Sequence, residues 1–134
     1  RCAETLGLME TMFEATLEYL KTRKQFGRPL GSFQALQHRM VEQYVAIDQL
    51  RSLILRLTLL KSDETEELGE MIAGVRAFAA EAGTALGHEA IQLLGGMGVS
   101  EEGIVATGHK RLMMLARYPY SAERAMDIYA GVPA

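Results

Sequence analysis

Apolar residues recur along this chain at intervals of three and four, and nowhere alternate for long enough to suggest a strand. Leu6, Met9, Phe13, Leu17 and Leu20 share one helical face, with Glu10, Glu14, Glu18 and Lys21 on the other. This predicts a first helix over about 3–24 that stops near Gly27, just ahead of Pro29. Ser32 suits the N-cap of a second helix, whose face Leu36, Met40, Tyr44, Ile47, Arg51, Ile54 and Leu57 carries it to about Lys61. Arg51 interrupts that face and is expected to snorkel or to meet a carboxylate.

The acidic run SDETEE, residues 62–67, reads as a solvated turn leading into the positive end of a third helix. That helix is expected over about 66–94, with Leu68, Ile72, Val75, Ala79, Ala82, Leu86, Ala90 and Leu93 inward. Its small residues (AFAAEAGTALG) imply close approach of a neighbouring helix. Gly95-Gly96 ends it. A fourth helix follows over about 104–117, Pro119 breaks it, and Ser121 restarts the chain into a last segment reaching about Ala130. Four helices with short connections give an all-α, up-down-up-down four-helix bundle over residues 1–134.

Composition narrows the function classes. A net charge of −3 offers no basic excess for nucleic acid. The apolar runs fall well short of the ~20 residues of a membrane span. Cys2 is the single cysteine, so neither a disulfide framework nor a thiolate metal site is available, and a cytoplasmic setting fits. His38, His88 and His109 show no metal-ligand spacing and read as packed or solvated histidines; no metal is expected. Nor does Cys2 have an evident histidine and acid for nucleophilic catalysis. The chain opens on Arg1 with a helical pattern already running by Leu6, which suggests a segment of a longer protein.

Two connections carry more chemistry than a bundle needs. RKQFGRPLGSFQ, residues 23–34, places three cations, two glutamines and two glycines between helices. Cations at a helix C-terminus complement its dipole, and that alone accounts for much of the pattern. Gln34, in the first turn of the second helix, could instead face an anion together with free backbone N–H groups. QLLGGMG, residues 92–98, suffices as a glycine-ended helix, while Gln92 and Gly98 add a surface open to a flat or phosphorylated ligand. It matches neither a Walker loop nor a dinucleotide-binding fingerprint.

Together YLKTRKQFGRPLGSFQALQHRM and AIQLLGGMGVSEE resemble the two signature stretches of the C-terminal helical domain of the acyl-CoA dehydrogenase family. In that family the first runs approximately R-x-x-F-G-x-P-L/I-x-x-F/L-Q-x-x-Q and the second approximately Q-I/L-x-G-G-x-G. The resemblance extends over essentially the whole chain. It implies a flavoenzyme that removes two hydrogens from the α and β carbons of an acyl-CoA, with a bundle that drives dimer and tetramer assembly and completes the FAD site of a neighbouring subunit. Carried over, it places Arg23 on the FAD diphosphate, has Gln34 reach the same cofactor and sets Phe26 near the flavin end. Gln92, Leu93, Gly95 and Gly96 lie along its adenosine–diphosphate portion. The acyl-CoA would be enclosed by other domains, and the segment alone is expected to be inactive and to self-associate.

The family's catalytic glutamate departs from the pattern. Counted without gaps from Gly95-Gly96, the family motif I-Y-E-G-T falls on Arg117, Tyr118, Pro119, Tyr120 and Ser121, so Pro119 stands where the base belongs. The later Ile128-Tyr129-Ala130-Gly131 imitates the motif with alanine in that place, and Glu123 and Asp127 fall at the wrong spacing. No catalytic residue is therefore assigned. Two readings follow: an FAD-dependent dehydrogenase whose base lies upstream of Arg1, or a non-catalytic partner in a mixed tetramer. The wording is closest to subunits of heteromeric bacterial enzymes. Chain-length preference and electron acceptor are not encoded here.

Overall fold

The computed structural model describes residues 1–60, 65–100 and 102–132. Five helices account for most of it: α1 (Cys2–Thr22), α2 (Gln34–Leu59), α3 (Thr65–Leu94), α4 (Ile104–Arg117) and a short α5 (Ala122–Tyr129). Side-chain pairings fix their directions. Glu10 meets Arg51 and Phe13 meets Tyr44, so α1 and α2 run antiparallel. Gly83 faces Leu112 and Gly87 faces His109, which sets α3 against α4. Glu4 pairs with Arg111 while Met12 packs on Gly108, which closes α4 back on α1. The expected up-down-up-down bundle is the observed one, with α5 laid against α3 through Tyr129 and Gly74.

α3 is the central helix. Ala73, Val75, Ala77, Ala79, Ala80, Ala82, Leu86, Ala90 and Leu93 are all buried, a wider face than one stripe supplies. Its small residues do what their composition predicted. A Cβ on Gly83 would come within 2.9 Å of Thr5 Cγ2, and one on Gly87 within 2.4 Å of His109 Nδ1. Met9, Met12, Leu50, Leu86 and Leu112 fill the space between helices without exposure. Each such side chain contributes roughly 1.5–3 kcal/mol of hydrophobic stabilisation.

Several expectations need correction. The seam of α1 is Thr5, Met9, Met12, Thr16 and Leu20, rotated from the apolar stripe, because Thr16 satisfies its hydroxyl on the Met12 carbonyl at 2.8 Å and so is cheap to bury. Leu6, Phe13 and Leu17 are half-buried at its edge. On α2 only Met40, Ile47 and Leu50 are fully buried; Tyr44 is exposed, while Leu36, Ile54 and Leu57 are half-buried. Ile72 on α3 is exposed as well. Arg51 behaves as expected, reaching Glu10 and Asp48 at 2.8 Å each. α2 ends at Leu59, short of the expected Lys61; residues 61–64 lie outside the described residues, and 65–67 of the expected polar turn already belong to α3. Gly95, at φ +59°, takes the left-handed conformation that ends α3, and the chain continues as a 3₁₀ turn, Gly95–Val99. The Ser121 hydroxyl caps α5 by accepting from the Arg124 N–H at 3.3 Å.

Candidate functional site

The α1–α2 connection is a small antiparallel hairpin, which the sequence did not suggest. α1 ends at Thr22, two residues early; β1 (Lys24–Gln25) pairs with β2 (Arg28–Pro29), Lys24 opposite Pro29 and Gln25 opposite Arg28. Such two-residue strands lie below the length at which alternation can be read. Phe26 and Gly27 form the tip with φ of +54° and +78°, the pair of positive angles that a type I′ turn requires. The Arg23 carbonyl accepts from the Leu30 N–H at 2.8 Å and closes the base of the hairpin.

Ser32 does not cap α2. Its hydroxyl donates to the Pro29 carbonyl at 2.7 Å within a 3₁₀ turn, Leu30–Ser32, and Phe33 occupies the N-cap with no side-chain bond. Gln34 is the first residue of α2 and is exposed, beside a first turn in which the Leu36 and Gln37 N–H groups donate to the Phe33 carbonyl at 3.0 and 3.1 Å. Phe26 projects from the hairpin with 87% of its surface exposed, its ring edge-on to Phe33 at 6.1 Å. The Arg28 guanidinium stacks 3.9 Å from the centre of the Phe33 ring. The connection is thus built as a shaped, solvent-facing platform.

The bundle brings the two signature stretches together. A cleft of about 550 Å³ is lined by Tyr19, Arg23, Gln25, Leu30, Leu36 and Arg39 on one side and by Gln92, Leu93, Leu94, Gly95, Gly96 and Met97 on the other. Arg23, Gln92, Leu93, Gly95 and Gly96 therefore converge across nearly seventy residues of chain. Phe26 and Gln34 do not line this cleft; they extend the same surface from the hairpin and the start of α2. Arg23 is exposed and has no carboxylate partner among the described residues. Neither Gly95 nor Gly96 has anything within 4 Å of where a Cβ would stand, so backbone is open to a ligand there. Gly98 is different. It is buried, and a Cβ would lie 2.6 Å from the Ile91 carbonyl oxygen, so this glycine serves packing rather than a ligand.

Arg39 was not singled out by its sequence position. It lines the cleft and forms an ion pair with Glu89 of α3, which holds the guanidinium more firmly in its charged form. With two arginines, exposed amides and bare glycine backbone, the donor set suits a diphosphate: two fork-shaped cations for the charge and amide groups for the remaining oxygens.

The segment after α4 has a separate construction. Arg76 of α3, with only 4% of its surface exposed, donates from Nη2 to the carbonyls of Tyr118 and Tyr120 at 2.9 and 2.8 Å, on either side of Pro119. The Tyr118–Pro119 peptide bond is cis. Nearby, Ser121 holds the Glu123 carboxyl below the usual carboxylate range, which weakens it as a base. The histidines also hold a juxtaposition that the sequence could not show. His88 and His109 stand with ring centres 5.0 Å apart, and burial followed by the neighbouring His88 lowers the pKa of His109. Among the described residues no group of three or more metal-ligating side chains occurs, and no helix is long and apolar enough to cross a membrane.

Comparison with known proteins agrees with this architecture. The family model described as acyl-CoA dehydrogenase, C-terminal domain, matches residues 1–131. The human mitochondrial short-chain specific acyl-CoA dehydrogenase is 32% identical over 96% of this chain and 28% of its own length. The acyl-CoA dehydrogenase IpdE2 of Mycolicibacterium smegmatis is 37% identical over 81% of this chain and 33% of its own length. Butyryl-CoA dehydrogenase from Megasphaera elsdenii superposes with a TM-score of 0.89 at 28% identity, over 97% of this chain and 34% of that one. An FAD complex of PigA superposes at 0.84 with 26% identity, over 96% of this chain and 34% of that one. The chain thus spans about a third of the relatives it matches. By its family match, its helical fold and its paired signature stretches, this chain belongs to the acyl-CoA dehydrogenase family, of which it is the C-terminal domain.

Proposed function

We propose that this domain completes an FAD site in an acyl-CoA dehydrogenase and drives its assembly, the whole protein catalysing α,β-dehydrogenation of an acyl-CoA thioester. The observation that carries the reading is the convergence of Arg23, Gln92, Leu93, Gly95 and Gly96 on one open cleft. FAD, when bound, accepts the hydrogens removed from the acyl chain. The residues of this chain bind and orient: Arg23 neutralises diphosphate charge, Gln92 donates its amide, and Gly95 and Gly96 let the backbone come close. Phe26 and Gln34 reach the same cofactor from the exposed hairpin and helix start. The flavin comes from a neighbouring subunit, as the family resemblance implies, and Phe26, 87% exposed, is open to such a contact.

Assembly has a surface to match. Phe13, Leu17, Leu36, Met40, Val41 and Tyr44 line an almost wholly apolar cleft of about 580 Å³ between α1 and α2. Apolar surface of this kind supports a homo- or hetero-tetramer.

A second reading has its own observation. Pro119 occupies the expected base position, and Arg76 pins the carbonyls on both sides of it. This favours a subunit that supplies cofactor contacts while a partner supplies the base. Both readings are tested by the visible absorbance of the complete protein, purified alone and co-expressed with a neighbouring dehydrogenase subunit. Flavin bands in the protein alone, with turnover lost on changing an upstream glutamate, select the self-sufficient enzyme. Flavin only in the mixed complex selects the partner subunit. Absence of flavin from both, or retention unchanged by Arg23→Ala, defeats the proposal.

A further inference from the structure

The cleft holds a second cation, which lies within the first signature stretch but beyond the family pattern that ends at Gln37. Arg39 projects from the second turn of α2 into the same space as Arg23, and across it stands Glu89 of α3. Arg39 keeps more than a third of its side chain exposed at the wall of the open cleft, so the paired guanidinium is still within reach of a ligand there. A diphosphate carries two negative charges, and Arg23 offers one positive charge. Arg39 supplies the second, and Glu89 cancels part of it while holding the guanidinium in a defined position.

We infer that Arg39 is a second diphosphate-binding residue of this cleft and that Glu89 is its internal counter-ion, restraining affinity while pre-orienting the side chain. The inference rests on the reading of the cleft as an FAD site. It makes the two partners of one ion pair act in opposite directions, which a purely structural tie would not do. Arg39→Met removes the charge and keeps the volume, so anion binding weakens. Glu89→Gln keeps Arg39, removes a carboxylate from the cleft and leaves an amide able to hold the guanidinium, so anion binding tightens.

The test uses the complete protein in its assembled form, stripped of flavin and titrated with FAD at low and high salt. Arg39→Met is expected to raise the FAD dissociation constant about tenfold and to flatten its salt dependence. Glu89→Gln is expected to lower the constant about twofold, and Arg39→Lys to retain most of the affinity. Weakening by both Arg39→Met and Glu89→Gln to the same extent would mean a helix tie and overturn the inference. So would unchanged binding by Arg39→Met alongside a large loss on Arg23→Met. If Arg23→Met also leaves FAD binding unchanged, the cleft is not the diphosphate site and both the inference and the reading beneath it fail. Should Arg39→Met unfold, Glu89→Gln still decides the matter: a lower FAD dissociation constant supports the inference, and a higher one means a helix tie and overturns it.

Discussion

Arg76 donates to the carbonyl of Tyr120 at 2.8 Å from a position 42 residues before the neighbouring acceptor, Tyr118, and its charge meets backbone oxygens rather than a carboxylate. A buried guanidinium held in this way orders the segment it reaches, because each carbonyl would otherwise face the helix without a donor. Arg76→Met removes both bonds, although it also removes the cost of burying a charge. The net loss is expected to be about 1–3 kcal/mol in urea unfolding, with faster amide exchange confined to residues 118–122. Unchanged exchange in that segment would show that the segment is held by something else.

Phe26 stands in the left-handed region with φ +54° and most of its surface exposed. A bulky residue there costs stability that local contacts do not return, a pattern associated with functional surfaces. Asn favours this conformation, and Asn-Gly is the preferred pair in a two-residue turn. Phe26→Asn should therefore raise stability by about 0.5–1 kcal/mol while lowering FAD retention in the assembled protein. Loss of both properties together would mean that Phe26 serves the fold.

Two glycines can be ranked by what surrounds them. A Cβ on Gly98 meets the Ile91 carbonyl oxygen at 2.6 Å and its Cα at 2.8 Å, both backbone atoms that cannot turn aside. A Cβ on Gly108 meets Met12 Sδ at 2.6 Å, the end of a flexible side chain. Gly98→Ala should cost about 1–3 kcal/mol through backbone displacement. Gly108→Ala should fall within about 1 kcal/mol of the parent, since the gain in helix propensity offsets the shift of Met12. Thermal melts of the two variants give the order directly, and the reverse order would refute the packing account.

The pKa of His109 is lowered by burial and then by His88, so the folded state disfavours its protonation. The unfolded chain binds that proton more readily, near the ordinary histidine value of about 6.5. Stability from this source is complete above that value and declines as pH falls through it towards the lower folded pKa. Glu4 and Glu123, whose pKa values are also lowered, lose their contribution only below the ordinary carboxylate range, so the two effects separate. Denaturant midpoints at pH 7 and pH 5 should differ less in His109→Gln than in the parent. An equal difference would remove His109 as the source.

Much of the fold was legible along the chain. The helices, the glycine-ended third helix, the serine cap at Ser121 and the helical interval 104–117 all follow from propensity and chain geometry, which act between residues close in sequence. The bundle followed too, since long amphipathic helices with short connections have few ways to bury their faces. Which face of α1 turned inward did not follow, because Thr5 and Thr16 look polar until their environment and the Met12 carbonyl are known. Nor did the hairpin at 24–29, whose two-residue strands are made by the turn at Phe26-Gly27 rather than by a pattern.

The site divides along the same line. Local residue types marked two connections as unusually rich in cations, amides and glycines, and the family resemblance picked out Arg23, Gln34 and the Gln92–Gly96 stretch within them. The meeting of Arg23 with the Gln92–Gly96 stretch in one cleft, the entry of Arg39 opposite Glu89, the pinning of Tyr118 and Tyr120 by Arg76 and the His88–His109 pair were decided by tertiary structure alone. Each joins residues far apart in sequence across a helix–helix seam, and which side chains meet there depends on helix rotation and close packing, quantities that no local run of residues encodes.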